Sequence, residues 1–211
     1  NPSYGEVDVD LGPGEVVLVE PGAMSRMSSN MKSSFKRQGS FLSAIFRKMF
    51  GGENFFLGKY EHPNGGSLTF APSIPGHVEH RQLSNNSLNV MAGCFLACTS
   101  GVNIKAKFGG LKAFFSGEGA FLLEASGSGD LFFNSFGGIV KKEINGEFIV
   151  DTGHVVAFDS SLNYSITGMG NFKSTMLSGE GLVMKFKGAG TLYLQTRNVS
   201  SVASWLTPRL L

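Results

Sequence analysis

One four-residue motif, Ser-Gly-Glu-Gly, occurs twice in this chain, each time followed by a hydrophobic run, a pair of glycines and a second hydrophobic run. The first copy starts at Ser116 and the second at Ser178. A third, more divergent copy starts at Gly51, where Gly-Gly-Glu takes the place of Ser-Gly-Glu. Because internal similarity of this kind indicates a fold assembled from similar units, the motif constrains the architecture more than any other feature.

The similarity extends upstream of each motif. A run of strand-forming residues leads into a glycine turn at Gly22, Gly93 and Gly153. The resulting period of about 60–70 residues is longer than that of a solenoid unit. We therefore predict one domain, 1–211, in which three similar β units surround a pseudo-threefold axis. The predicted units are 1–72, 73–135 and 136–198, with a C-terminal tail over 199–211.

The hydrophobic pattern within each unit is typical of β-strands, so the predicted fold class is all-β. "MKFK" at Met184 alternates apolar and polar residues, which indicates a strand buried on one face. "AFLLEA" and "LFF" are continuous apolar runs, which favour strands covered on both faces. The glycine pairs between such runs are interpreted as hairpin turns.

Two segments are predicted to form short helices. The first covers 41–50, where apolar residues recur at helical spacing behind Ser40. The second lies in the tail, where Val202, Trp205 and Leu206 are expected to face the body and Pro208 to stop the helix.

Charge and cysteine content exclude several classes of function. The formal net charge is only +2, too small for the basic surface that nucleic-acid binding normally requires. No apolar stretch approaches the ~18 residues of a membrane span. Cys94 and Cys98 are too far apart on a strand to bridge, so both are predicted to be buried thiols of a protein from a reducing compartment. The expected localisation is cytoplasmic, with peripheral membrane association left open.

The glutamates of the three motifs form the main candidate polar cluster. Related by a threefold axis, they would be equivalent and could converge, and each is preceded by a basic residue. The candidate set is Glu53, Glu118 and Glu180 with Arg47, Lys112 and Lys173. The alternative is that each glutamate pairs locally with its basic neighbour or accepts hydrogen bonds from turn amides, which would make the motif structural.

A metal site is a weaker candidate. His77, Glu79 and His80 lie close in sequence, but alternate side chains of a strand point to opposite faces. Surface histidines are therefore the favoured interpretation, and no metal or other cofactor is expected.

The stretch containing Asp151, His154 and Asp159 raises the possibility of acid–base chemistry. No nucleophile elbow or phosphate-binding glycine loop accompanies it, so a turn with a hydrogen-bonded histidine is preferred. We accordingly expect that the protein is not an enzyme.

The first predicted helix offers a candidate partner or membrane surface. Basic residues lie beside its apolar stripe, as in helices that dock on anionic membranes or partner grooves. The residues concerned are Phe41, Ile45, Phe46, Arg47 and Lys48. The alternative is a helix that packs on its own domain.

Several stretches together resemble one family. "FGGLKAFFSGEGAFLL", "FIVDTGHVVAFD", "FLACTSGV", "FAPSIPG" and "LYLQTRN" are similar to the mitochondrial biogenesis (altered inheritance of mitochondria) family, and the resemblance runs from Ser3 to Pro208. It implies a β-rich fold similar to that of the tryptophan RNA-binding attenuation protein. The family's fungal members are associated with mitochondrial inner-membrane organisation. The resemblance supplies no catalytic residues.

Two functions follow as expectations. The first is a non-enzymatic binding or assembly protein that presents a surface to a protein partner or a membrane, with homo-oligomerisation compatible with this role. The second is a small-molecule or metal-ion binding module with its site where the three Ser-Gly-Glu-Gly-type turns converge.

Overall fold

Strands dominate the structure, a computed structural model that describes residues 4–37, 56–107, 122–168 and 182–210. The first six strands are β1 (Val7–Leu11), β2 (Val16–Val19), β3 (Met24–Met27), β4 (Lys32–Arg37), β5 (Phe56–Glu61) and β6 (Gly66–Phe70). The next four are β7 (Val78–Met91), β8 (Phe95–Thr99), β9 (Val102–Lys107) and β10 (Leu122–Asn134). The last four are β11 (Ile139–Asp151), β12 (Val155–Asp159), β13 (Asn163–Gly168) and β14 (Leu182–Gln195), and the helix α1 (Val199–Leu210) follows. The predicted all-β class is confirmed.

Strand β10 organises the middle of the chain. It pairs antiparallel with β7 along its whole length, and on its other edge it pairs first with β9 and then with β8. A 3-10 turn, Ala92–Cys94, connects β7 to β8. This turn contains Gly93, as the sequence predicts.

Strand β14 has the corresponding position near the C-terminus. It pairs along its length with β11, and on its other edge with β13 and β12. A second 3-10 turn, Thr152–His154, connects β11 to β12. Asp151 stabilises this turn by accepting a hydrogen bond of 2.7 Å from the amide of Gly153.

The N-terminal segment uses two shorter strands where the others use one long strand. β5 pairs with β2 and β4, whereas β6 pairs with β1 and β3. The break falls at 62–65, where Gly65 has a positive φ of 85°.

Two short pairings connect these segments into one open sheet. β2 pairs with β8, and β7 pairs with β12. The larger sheet has the order β11-β14-β12-β7-β10-β8-β2-β5-β4, with β9 and β13 attached to β10 and β14, and the smaller sheet has the order β1-β6-β3. Both sheets are open among the described residues.

Apolar side chains are buried in three clusters. The largest lies between the long strands and includes Leu88, Val90 and Phe133. A second cluster lies under the smaller sheet around Phe70, and a third lies near the C-terminus around Phe186. Burial of such side chains is the main favourable contribution to folding.

The alternation predicted for "MKFK" is confirmed. Met184 and Phe186 are buried and Lys185 and Lys187 are exposed, as expected for a strand covered on one face.

The hairpin interpretation of the glycine pairs is wrong. Gly127 and Gly129 lie inside β10, at a register shift opposite β7, and the strand continues beyond them to Asn134. The physical reason is the close approach of the β8–β9 turn. A Cβ on Gly127 would lie 2.4 Å from the carbonyl oxygen of Gly101, and one on Gly129 would lie 2.4 Å from Thr99 Oγ1. The positive φ of 120° at Gly127 also favours glycine.

Candidate functional site

The residues of both sequence-based candidate sites lie outside the described residues. They are Phe41, Ile45, Phe46, Arg47, Lys48, Glu53, Lys112, Glu118, Lys173 and Glu180. The helix predicted over 41–50 lies outside them as well. Convergence of the three glutamates therefore stays a prediction.

The positions of these segments in the topology are nevertheless informative. Each of the ranges 38–55, 108–121 and 169–181 connects two strands that are paired antiparallel, namely β4 with β5, β9 with β10 and β13 with β14. The three motif glutamates therefore belong to three corresponding connections.

Two grooves run along β1. One groove of about 860 Å³ is lined by Glu6, Val7 and Asp8, and a second of about 440 Å³ is lined by 9–11. Phe132 of β10 lines both. Because successive strand residues point to opposite faces, grooves lined by every residue of β1 must follow its edge.

Two acidic side chains that line the first groove, those of Glu6 and Asp8, share one cation. Arg26 of β3 pairs with Glu6 at 2.9 Å and with Asp8 at 3.1 Å. Its hydrogen bond lowers the pKa of Glu6, and the same pair raises the pKa of Arg26. These side chains are largely exposed, so the contribution to stability is small.

Two histidines border the groove, each with its own carboxylate. His80 Nε2 lies 2.8 Å from Asp130 Oδ1 and its ring stacks on Phe132, whereas His77 Nε2 lies 3.4 Å from Glu79. The two histidines thus bind different partners, as the interpretation of surface histidines requires. No group of three or more metal-ligating side chains occurs within the described ranges.

A partly buried carboxyl, that of Glu20, lies near one of the two cysteines. Burial raises the pKa of Glu20 to about 7. Burial is the main cause that raises the pKa of Cys94 to about 12, and the negative charge of Glu20 is the second cause. Cys94 and Cys98 are both buried and neither forms a disulfide, as predicted. At neutral pH Cys94 is therefore protonated and a poor nucleophile.

Asp151, His154 and Asp159, the residues considered for acid–base chemistry, form hydrogen bonds with different partners. His154 Nδ1 lies 2.8 Å from the carbonyl oxygen of Gln195, which agrees with a hydrogen-bonded turn histidine. Asp159 instead accepts 3.0 Å and 2.8 Å hydrogen bonds from Arg81 and from the amide of Thr191. These contacts connect neighbouring strands.

Helix α1 differs from the prediction. Asn198 caps it by accepting a hydrogen bond of 2.9 Å from the amide of Ser200. Val202, Trp205 and Leu206 are not buried against the body: Trp205 is 59% exposed and no helix residue is buried, although Val202 and Trp205 border a surface pocket that His154 also lines. Helical spacing identifies an apolar face but not what covers it, which is why the prediction is wrong.

Pro208 does not stop the helix either, since α1 continues to Leu210. A proline removes one backbone hydrogen bond, and in the last turn of a helix this loss is tolerated together with its fixed φ. Arg209 packs over the Trp205 ring, with its guanidinium carbon 4.3 Å from the ring centroid.

No α-helix in the part of the chain that the structure describes is long and apolar enough to cross a membrane.

The fold and the candidate sites define an all-β protein with open sheets and one exposed terminal helix. The model of one family, described as mitochondrial biogenesis AIM24, matches residues 1–197. The chain belongs to this family, so the resemblance drawn from its motifs is confirmed.

Two similar proteins come from Streptococcus pyogenes. An uncharacterized protein of serotype M6 is 31% identical over 209 residues, which cover 95% of this chain and 84% of the relative. The X-ray crystal structure of a protein from S. pyogenes has a TM-score of 0.84 at 31% identity, and it covers 100% of this chain and 96% of that one.

Sequence reasoning missed two features. The first is the groove along β1, whose signal is the alternation of acidic residues at Glu6, just before β1, and at Asp8 and Asp10 within it. The second is a pair of exposed strand edges, on β3 and β11, where Met27 and Ile149 face solvent. Alternating patterns identify strands, but they do not show which strands lie at an edge.

Proposed function

We propose that the protein is a non-enzymatic binding protein that attaches peripherally to an anionic membrane surface through α1. The observation that carries the proposal is the exposed apolar face of this helix. Val199, Val202 and Leu206 are spaced three and four residues apart, so they share one face, and all three are exposed.

The charge around α1 favours an anionic surface. Arg197 and Arg209 lie at its two ends, and residues 196–211 contain no Asp or Glu. A basic residue near an anionic bilayer contributes about 1 kcal/mol to binding. Trp205, at the border of the apolar face, is a side-chain type that prefers the membrane–water interface.

The strand pairings support the proposal of three similar units. β10 and β14 each pair with three strands in the same order, and the N-terminal segment repeats this pattern with β5 and β6 in place of one long strand. A pseudo-threefold axis stays a prediction. The β3–β11 pairing that would close a ring of three does not occur among the described residues.

Fluorescence of Trp205 tests the membrane proposal directly, because it is the only tryptophan in the chain. We expect a blue shift of its emission, and flotation of the protein, with vesicles that contain phosphatidylglycerol. Replacing both Arg197 and Arg209 by Gln should weaken binding roughly 30-fold, since two charges contribute about 2 kcal/mol together.

The double variant Val202→Ser/Leu206→Ser should abolish flotation, because it removes the apolar face. Ser204→Asn, on the opposite side of the helix, is the matched control and should bind as the wild type does. Absence of binding to anionic vesicles, or equal binding of the apolar-face variant and the control, contradicts the proposal. In the second case, a protein groove becomes the better candidate for this face.

A further inference from the structure

Two pairings connect the three segments of the chain, and both have the same short antiparallel form. Between β2 and β8, Val17, Leu18 and Val19 lie opposite Thr99, Cys98 and Ala97. Between β7 and β12, Leu88, Asn89 and Val90 lie opposite Asp159, Phe158 and Ala157. Each pairing comprises three residue pairs.

The register of both pairings follows from the turn glycines Gly22, Gly93 and Gly153. Residues three to five positions before Gly22 pair with residues four to six positions after Gly93. Residues three to five positions before Gly93 pair with residues four to six positions after Gly153. The two pairings therefore use one interface geometry.

The same positions relative to the turn glycines identify two further sets of residues, and for these two sets the pairing is not made among the described residues. Before Gly153 the set is 148–150, in β11, and after Gly22 it is 26–28, at the end of β3. In the part of the chain that the structure describes, β11 pairs only with β14 and β3 pairs only with β6. Each strand therefore presents one open edge with unpaired backbone groups.

Side-chain exposure distinguishes the two open edges from the two pairings that are made. At the centre of the made pairings, Leu18 is 2% exposed and Phe158 is 0% exposed. At the corresponding open positions, Met27 is 44% exposed and Ile149 is 56% exposed. The open edges thus expose apolar side chains at positions whose counterparts in the two made pairings are buried.

We propose that these two edges are a self-association surface, on which β3 of one copy pairs antiparallel with β11 of a second copy. The repeated register places Met27 opposite Ile149, Arg26 opposite Val150 and Ser28 opposite Phe148. Directly opposed residues of an antiparallel pair share one face, so Met27 and Ile149 contact each other.

The association is head-to-tail, because two different edges meet. A dimer formed in this way retains one free edge of each kind, β11 on one copy and β3 on the other, so addition continues until a ring closes or a filament forms. The pairing is short and buries little surface, so we expect it to depend on concentration.

Sedimentation equilibrium of the full chain over a range of concentrations, without lipid, tests the proposal. We expect the average mass of the wild type to rise with concentration. Met27→Lys and Ile149→Asp should each weaken association at least tenfold, since each places a charge against an apolar side chain. The double variant Met27→Lys/Ile149→Asp should restore association, because the two charges then face each other as a pair.

Phe35→Lys is the matched control. Phe35 is 78% exposed on β4, at the other end of the larger sheet, and its replacement should leave association unchanged. A wild type that remains monomeric, single variants that associate normally, or a double variant that stays dissociated would each overturn the proposal. All positions are exposed, so melting temperatures near that of the wild type confirm folding. Because no membrane is present, failure here leaves the α1 proposal unaffected, and the reverse also holds.

Discussion

Strands β7 and β11 have the same place in their segments and yet opposite surroundings. Each is a long strand paired along its length with one partner, β10 or β14. β7 gains a second neighbour, β12, and Leu88 and Val90 become fully buried. In the described residues β11 has no second neighbour, and Ile149 remains exposed. Burial of a strand therefore depends on its neighbours at least as much as on its own sequence.

The largest predicted difference between these strands concerns side-chain burial. Leu88→Ala should lower the free energy of unfolding by about 2–5 kcal/mol, because it leaves a cavity in the core. Ile149→Ala should change it by less than about 0.5 kcal/mol. Urea denaturation at low protein concentration measures both, and similar losses would contradict the assignment of β11 as an open edge.

The second contrast concerns the glycine in the middle of each strand pair. Gly127→Ala should destabilise by about 2–4 kcal/mol, because the new Cβ meets the carbonyl oxygen of Gly101 at 2.4 Å and the positive φ adds strain. Gly146, in β11, has a φ of 124° but no atom within 4 Å of a Cβ. Gly146→Ala should therefore cost only about 1–2 kcal/mol. Thermal unfolding of the two variants compares them, and the reverse order would exclude the close approach of the β8–β9 turn.

The third contrast is electrostatic. Glu20 follows β2 beside the β2–β8 pairing, and its amide donates to the carbonyl oxygen of Leu96 at 2.8 Å. Its folded-state pKa of about 7 lies above the ordinary glutamate value of 4.5, so the folded state binds the proton more tightly. The resulting stabilisation is complete below the unfolded-state pKa and is lost as the pH rises through about 7.

Glu20→Gln should consequently stabilise the protein by about 2–3 kcal/mol at pH 8 and by little at pH 4. Glu147 of β11, which pairs with Lys187 at the surface at 3.2 Å, provides the control. Glu147→Gln should have little effect at either pH. Denaturation midpoints at the two pH values measure the difference, and a pH-independent effect of Glu20→Gln would refute the account of a partly buried carboxyl.

The smallest expected effect lies on the other open edge. Arg26→Ala removes exposed ion pairs with Glu6 and Asp8, so its effect on stability should be small, and smaller still at high salt. Denaturation at low and high ionic strength checks this. A large, salt-independent loss would mean that β3 is covered.

The sequence supports the strand content well, because alternation such as that of Met184–Lys187 is a local property. Prediction from the sequence fails where one residue type is compatible with two different local structures. Gly127 could serve a turn or a close approach inside a strand, and both need the same backbone freedom. Trp205 could face a core or a partner, and spacing along the helix is the same in both cases. The open edges of β3 and β11 depend on long-range pairing, which no local pattern encodes.

Amide hydrogen exchange of 88–90 and 148–150, followed as protein concentration rises, tests the central comparison most directly. Residues 88–90 should be protected at every concentration, because β12 covers them within the chain. Residues 148–150 should exchange faster in dilute protein and become protected as copies associate, and Met27→Lys should remove that gain. Protection of 148–150 that is strong in dilute protein, or that does not change with concentration, would contradict the account.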